Sequence, residues 1–548
     1  MASATPRARR SLAHDPRLAW ALAALFFTVG VALIRTDRFL HDEGLLSWFF
    51  AGILADEPIA TLFFLKARPP LALLYAPISG LGLDVFLWLH VLVAALAIPL
   101  MAAVARALGQ GAPNLVALAL AASPMMLAAA PSGVGNTDAI TGLALALYLL
   151  VARRSPAAAG LVAGALPLVR AEITIYVLAL ALYCLPRARR RFLYALPAVG
   201  LALALAGALY HQDVLWFIHY PPTLTSPGQD TPAFGEHGYA QASLGQTAGA
   251  LLSIAPLLGL LALLPWRALH PLERALLLAG LAFGLAIRGL PFTGLFHFDD
   301  SPRYALPLIM MMAPLGRLAT TEAEGRGWPA AALYVALLVV GDAIDRAEGS
   351  RLLLAAIAGW ALVWALLRRA RPRLSLALAS ALALAAAAAP QLYEATRLAS
   401  DDYARSHAVF ARWVEEHPAR ARESRIITNI HLLSTWSRRQ GLFEAGVTID
   451  HIVSRDIEEE LRTLVNQENG QYEALLDALR RHFYGRPLAA DALRPELLEG
   501  DVIFVIHADE RLERVMPRDQ WAPLMTTLVE EDGVRIAAFT PPASPRDR

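Results

Sequence analysis

Apolar runs of membrane-spanning length recur from residue 18 to about residue 391. The first, Leu18 to Ile34, follows Arg7, Arg9, Arg10 and Arg17 and precedes Arg35-Thr36-Asp37-Arg38. No small-residue cleavage site follows it, so it reads as an uncleaved span with its N-terminus in the cytoplasm. Further spans are expected over 85–108, 113–130, 137–152, 156–170, 172–186, 192–210, 246–265, 274–290, 303–320, 328–343, 350–367 and 374–391. The total is about thirteen. Alternation from a cytoplasmic start puts Arg153-Arg154, Arg187 with Arg189 to Arg191, Arg267 with Arg274, and Arg368-Arg369 with Arg371 and Arg373 at inner ends. That is the positive-inside pattern, and an odd span number places the C-terminal tail outside.

Beyond residue 391 the pattern changes. The tail is charged, with a mixed polar helical segment over 455–482 and short apolar runs suited to strands at Ile426-Ile427, Asp501 to Ile506 and Val534 to Phe539. The fold class expected is mainly α. It combines a polytopic membrane helix bundle over 1–391, with interfacial helices in the first outer loop, and a soluble C-terminal α/β domain over 392–548.

Composition sharpens this picture. Of the 548 residues 56% are hydrophobic and only 17% charged, against about 25% charged in soluble domains. Mean hydropathy is +0.46. Basic and acidic residues cancel to +1, which argues against a nucleic-acid partner. A lone cysteine, Cys184, excludes a disulfide framework or a cysteine metal cluster. Of 48 basic residues one is lysine, Lys66. Codon drift accounts for the arginine bias but not for where that lysine stands.

Polar chemistry concentrates on the outer side. The first loop carries His41-Asp42-Glu43-Gly44, an amphipathic stretch from Leu45 to Leu54, then Lys66-Ala67-Arg68-Pro69-Pro70 and a second apolar stretch through Ile78. Two half-buried helices along the interface are expected there. Asp42 and Glu43 either end a helix in water or face a polar cavity or cation. Asp138, after the Gly-rich Ser132 to Thr137, reads equally as a helix-terminal acid or as a site group. Arg170 and Glu172 interrupt apolar sequence and call for each other or a ligand. Asp299-Asp300-Ser301-Pro302-Arg303-Tyr304 opens a later span, with Arg303 at phosphate level or anchoring the interface beside Tyr304. The loop 211–245, with Trp216, Phe217, His219, Tyr220 and Tyr239, suits an aromatic lid. Six histidines in the tail are scattered without ligand spacing.

In order and side, these motifs resemble the GT-C superfamily of polyprenyl-phosphate-dependent glycosyltransferases, in the protein O-mannosyltransferase and aminoarabinose transferase branch. The resemblance covers residues 18 to about 320. It rests on Asp42-Glu43, Arg68-Pro69-Pro70, Ser123-Pro124 before Asp138, Gly160 to Arg170 with Glu172, and Arg303-Tyr304. It implies a membrane enzyme that moves a sugar from a polyprenyl-monophosphate donor to a lipid, glycan or protein acceptor on the outer face, with inversion. The setting implied is a bacterial inner membrane. Asp42 matches the family's catalytic acid, with Glu43 a near-equivalent and Asp138 a third candidate. Lys66, Arg68, Arg303 with Tyr304, and Arg170 with Glu172 are candidates for the donor phosphate. Relatives place lysine directly before Pro-Pro, so both Lys66 and Arg68 stay open. A divalent cation serves some branches and not others. Asp42, Glu43, Asp138, His297, Asp299 and Asp300 include suitable donor atoms, but their spacing defines no metal site and none is predicted. One rival reading is a transporter or flippase for a lipid-linked sugar, which calls for inverted repeats and mid-span charges; the chain has no clear repeat. The other, a scaffold displaying the tail, leaves the ordered motifs without a purpose.

Overall fold

The computed structural model describes residues 14–34, 43–56, 58, 62–63, 68–185, 189–216, 266–289, 302–318, 402–430, 433, 449–453, 486–489, 493–507, 516–531 and 533–541. In chain order the helices are α1 Pro16–Ala32, α2 Glu43–Asp56, α3 Pro69–Tyr75, α4 Leu83–Ala107, α5 Pro113–Ala121, α6 Pro124–Ala129, α7 Gly135–Leu147 and α8 Pro156–Val169. There follow α9 Thr174–Cys184, α10 Arg190–Ala195, α11 Ala198–His211, α12 Pro271–Gly289, α13 Leu315–Leu318, α14 Asp402–Glu416, α15 Pro418–Glu423 and α16 Arg518–Trp521. Two compact units result. One comprises Met1–Ile34, Leu87–Leu203 and Gln229–Arg397; the other comprises Arg35–Phe86, Ala204–Gly228 and Leu398–Arg548.

The first unit is helical. Asp15 caps α1 by accepting from the Arg17 amide at 3.0 Å, with Pro16 in the first turn. At 25 residues, α4 is about 37 Å long and exceeds a hydrocarbon core of about 30 Å. Among the described residues three helical stretches are long and apolar enough to cross a membrane: Leu83–Ala107, Gly135–Ala152 and Arg190–Tyr210. The spans expected over 246–265, 328–343, 350–367 and 374–391 lie outside the described residues.

Exposed leucines form i, i+4 stripes. Trp88, Leu92 and Leu96 line α4, Leu178 and Leu182 line α9, and Leu201, Leu205 and Leu209 line α11. In water such stripes invite association; in a bilayer they are the solvated face. Packing inside the unit depends on small residues. Gly160 and Gly164 of α8 lie so close to the carbonyls of Phe192 and Leu196 that a Cβ would collide with each.

Two expected spans differ in detail. The run over 113–130 breaks at Ser123, which caps α6 by accepting from the Met126 amide. The run over 303–320 begins as a 3-10 helix, Pro302–Met312, with Pro307 inside it. Proline removes an amide donor, and the Pro307 carbonyl accepts from the Tyr176 hydroxyl at 2.7 Å.

A fully buried carboxylate, Glu273, ties the unit together. Its Oε2 accepts from Arg317 Nε and from the His270 amide, each at 2.6 Å, and its Oε1 accepts from Gln110 Nε2 at 2.7 Å. Arg317 also donates to the Leu108 carbonyl at 2.6 Å. The termini of α4, α12 and α13 are thereby joined.

In the second unit α2 is not half-buried as expected. Trp48, Phe49, Phe50, Ala51, Ile53 and Leu54 are all buried, because a helix apolar on every side has no face suited to water. It packs on α3 and on the following 3-10 turn Ala76–Leu81, where Trp48 Nε1 donates to the Ser79 carbonyl at 3.0 Å. Trp216, expected in an aromatic lid, is buried instead. Its Nε1 donates to the Ala204 carbonyl at 3.0 Å, and Phe63 packs edge-on against it. Phe217, His219, Tyr220 and Tyr239 lie outside the described residues.

The tail folds as an α/β layer. Strands β1 Arg425–Thr428, β2 Ile449–Val453, β3 Arg486–Ala489, β4 Val502–His507, β5 Met525–Glu531 and β6 Val534–Phe539 form one sheet ordered β3-β2-β1-β4-β6-β5. The first four pair in parallel, while β6 joins β4 and β5 antiparallel. Phe410 and Trp413 of α14 cover one face over Ile426, Ile503 and Ile536. Trp521, Leu498 and Met516 cover the other over Ile427, Phe504 and Phe539. Parallel strands buried on both faces call for this apolar content.

Candidate active site

The site is built on the first turn of α7. The preceding chain turns at Gly133, whose φ of 69° is a left-handed conformation that glycine adopts without strain. That turn points Asn136, Thr137 and Asp138 into the interior, where all three are buried. The helix N-terminus favours an acid at this place.

Asp138 Oδ2 lies 2.8 Å from Nε2 of His90, a residue of α4. His90 Nδ1 lies 2.7 Å from the Ala130 carbonyl. A carbonyl only accepts, so Nδ1 carries a hydrogen. Thr137 Oγ1, 3.2 Å from Nε2, donates its own hydrogen to the Val134 carbonyl at 2.9 Å. Nε2 and Oδ2 can then face each other favourably only with one proton between them.

The neighbouring side chain of the same turn organises a second pair. Asn136 Nδ2 donates to Glu172 Oε1 at 3.1 Å, and Arg170 Nε donates to the same oxygen at 2.6 Å. Arg170 ends α8 in an extended conformation, which swings the chain into the 3-10 turn Ala171–Ile173 and brings Glu172 back beside it. The two charges thus satisfy each other, the structural alternative read from the sequence. Asn136 Oδ1 is buried without a hydrogen-bond partner, an acceptor suited to a hydroxyl donor.

The structure therefore brings Asp138, Arg170 and Glu172 into one buried polar cluster. Arg303 and Tyr304 belong to the 3-10 helix Pro302–Met312, which packs against α7; their side chains lie outside the described residues. Glu43 begins α2, its side chain likewise outside, and Asp42 and Lys66 are not among the described residues. Arg68 is half-buried at the start of α3, with φ 52° and ψ 70° before Pro69-Pro70. Proline disfavours a helical residue before it, so Arg68 stands at a sharp bend. His297, Asp299 and Asp300 also lie outside. Among the described residues no three His, Cys, Asp or Glu side chains are grouped to hold a metal ion.

Sequence reasoning missed His90, Asn136 and Thr137. A signal for His90 was present, since an ionisable side chain inside a 25-residue apolar helix requires a polar partner. Its partner stands 48 positions later, a separation that no local pattern reveals.

No protein-family profile matches the chain, and no curated protein does. Among solved structures it is similar to ArnT from Cupriavidus metallidurans. With ArnT bound to undecaprenyl phosphate the TM-score is 0.55 at 14% identity, and with apo ArnT 0.54 at 13%. Both alignments cover 96% of this chain and 98% of the ArnT chain. At this identity the likeness shows the fold. That fold agrees with the one the sequence resemblance implied.

Proposed function

We propose that this protein is an integral membrane glycosyltransferase that moves a sugar from a polyprenyl-monophosphate donor to an acceptor on the outer membrane face. The observation that carries the reading is the buried cluster of His90, Asp138, Asn136, Glu172 and Arg170 within an ArnT-like fold. An apolar helical bundle seldom retains a buried carboxylate such as Asp138 without a task. The ArnT structure bound to undecaprenyl phosphate supports the donor class.

In this reading residues 1–391 form the catalytic membrane domain, and residues 392–548 form a domain outside the membrane. The N-terminus is cytoplasmic. An acceptor hydroxyl attacks the anomeric carbon while the bond from that carbon to the phosphate oxygen breaks, which inverts the centre. The hydroxyl proton passes to the carboxylate of Asp42 or Glu43. Positive charge develops on the sugar ring. The departing polyprenyl phosphate gains charge, and Lys66, Arg68 and Arg303 with Tyr304 are the candidates to stabilise it. Arg170, already engaged by Glu172, acts in support.

Mass spectrometry of the surface lipids and glycans of a deletion strain tests the reading. Loss of one sugar substituent is expected; an unchanged envelope contradicts it.

A further inference from the structure

We infer that His90 is a positioning residue for Asp138, fixing its carboxylate and sharing one proton with it, so that Asp138 is not the general base. The inference rests on the glycosyl-transfer reading and divides its three candidate acids into two roles.

His90 is fully buried, and its Nδ1 hydrogen is committed to the Ala130 carbonyl, which fixes the ring plane and leaves Nε2 aimed at Asp138 Oδ2. Were the shared proton lost, a nitrogen lone pair would face a carboxylate oxygen at hydrogen-bond distance, and the pair would separate. A carboxylate whose charge is offset by a shared proton is a weaker base toward the acceptor hydroxyl than a free one. That proton is left to Asp42 or Glu43.

Histidine nitrogen-15 NMR of the full-length protein in lipid nanodiscs reads the shared proton without turnover. Both ring nitrogens of His90 are expected to carry hydrogen. Asp138→Asn should shift the Nε2 resonance while Nδ1 keeps its hydrogen bond to the Ala130 carbonyl. An Nε2 resonance alike in both proteins overturns the inference. Kinetics with a polyprenyl-phosphate sugar then separate positioning from mere support. His90→Phe should lower kcat on the order of 10–100-fold with donor KM little changed. His90→Gln, which can still donate to Oδ2, should recover part of kcat. Variants that melt earlier yet keep wild-type kcat would make His90 only a tie between helices, against the inference. A wild-type protein that transfers no sugar, with the NMR coupling intact, would sink the transfer reading and leave the pair standing.

Discussion

Arg317 reaches 44 positions back along the chain to place its Nε 2.6 Å from Oε2 of the fully buried Glu273. Removing one partner from such a pair strands the other charge, at a cost of about 3–5 kcal/mol. Arg317→Met should therefore destabilise the membrane unit by that order, measured by thermal or denaturant unfolding in detergent. Because the cluster also binds Gln110 and the Leu108 carbonyl, Arg317→Lys should recover only part of the loss. A wild-type melting curve for Arg317→Met would remove this clamp from the account.

Helix contact through Gly164 predicts a second stability effect. Gly164→Leu should force α8 away from the Leu196 backbone, at about 1–3 kcal/mol or more for overpacking. Gly200 is the internal control, since a Cβ there meets nothing within 4 Å. Gly200→Leu should stay within about 0.5 kcal/mol of wild type. Equal melting temperatures for the two variants would contradict the close packing.

Donor recognition is tested at Lys66 and Arg68. Lys66→Ala and Arg68→Ala should each raise KM for a polyprenyl-phosphate sugar, by about tenfold for a lost charge-assisted contact of about 1.5 kcal/mol. Unchanged donor kinetics in both would remove the phosphate assignment. Lys66→Arg bears on the single lysine of the chain: a loss of donor use would make the exception chemical, and full activity would make it drift.

How much of this was legible in the sequence depended on distance along the chain. Apolar runs gave the helices and the strands β1, β4 and β6, because burial on both faces demands continuous apolar residues. β2 was hidden by Asp450 and His451, which look unsuited to a core yet are buried there, Asp450 with Arg425 as its partner. β5 was hidden for the opposite reason. It is an edge strand with mostly exposed residues such as Thr526, Thr527 and Glu530, and carries little apolar signal. At the site, Arg170 and Glu172 were legible because they are two positions apart, and their pairing followed. Asp138 was visible as an acid at a helix start, but its partner came from another helix. Only the fold could join them.

Purified protein in liposomes, given a labelled polyprenyl-phosphate sugar and a membrane-lipid acceptor extract, tests the central claim most directly. Label is expected to move into an acceptor on the outer face. Asp42→Asn combined with Glu43→Gln should abolish that transfer while the protein stays folded. Label that crosses the bilayer on its original carrier without reaching any acceptor, or full transfer by the double variant, would contradict the account.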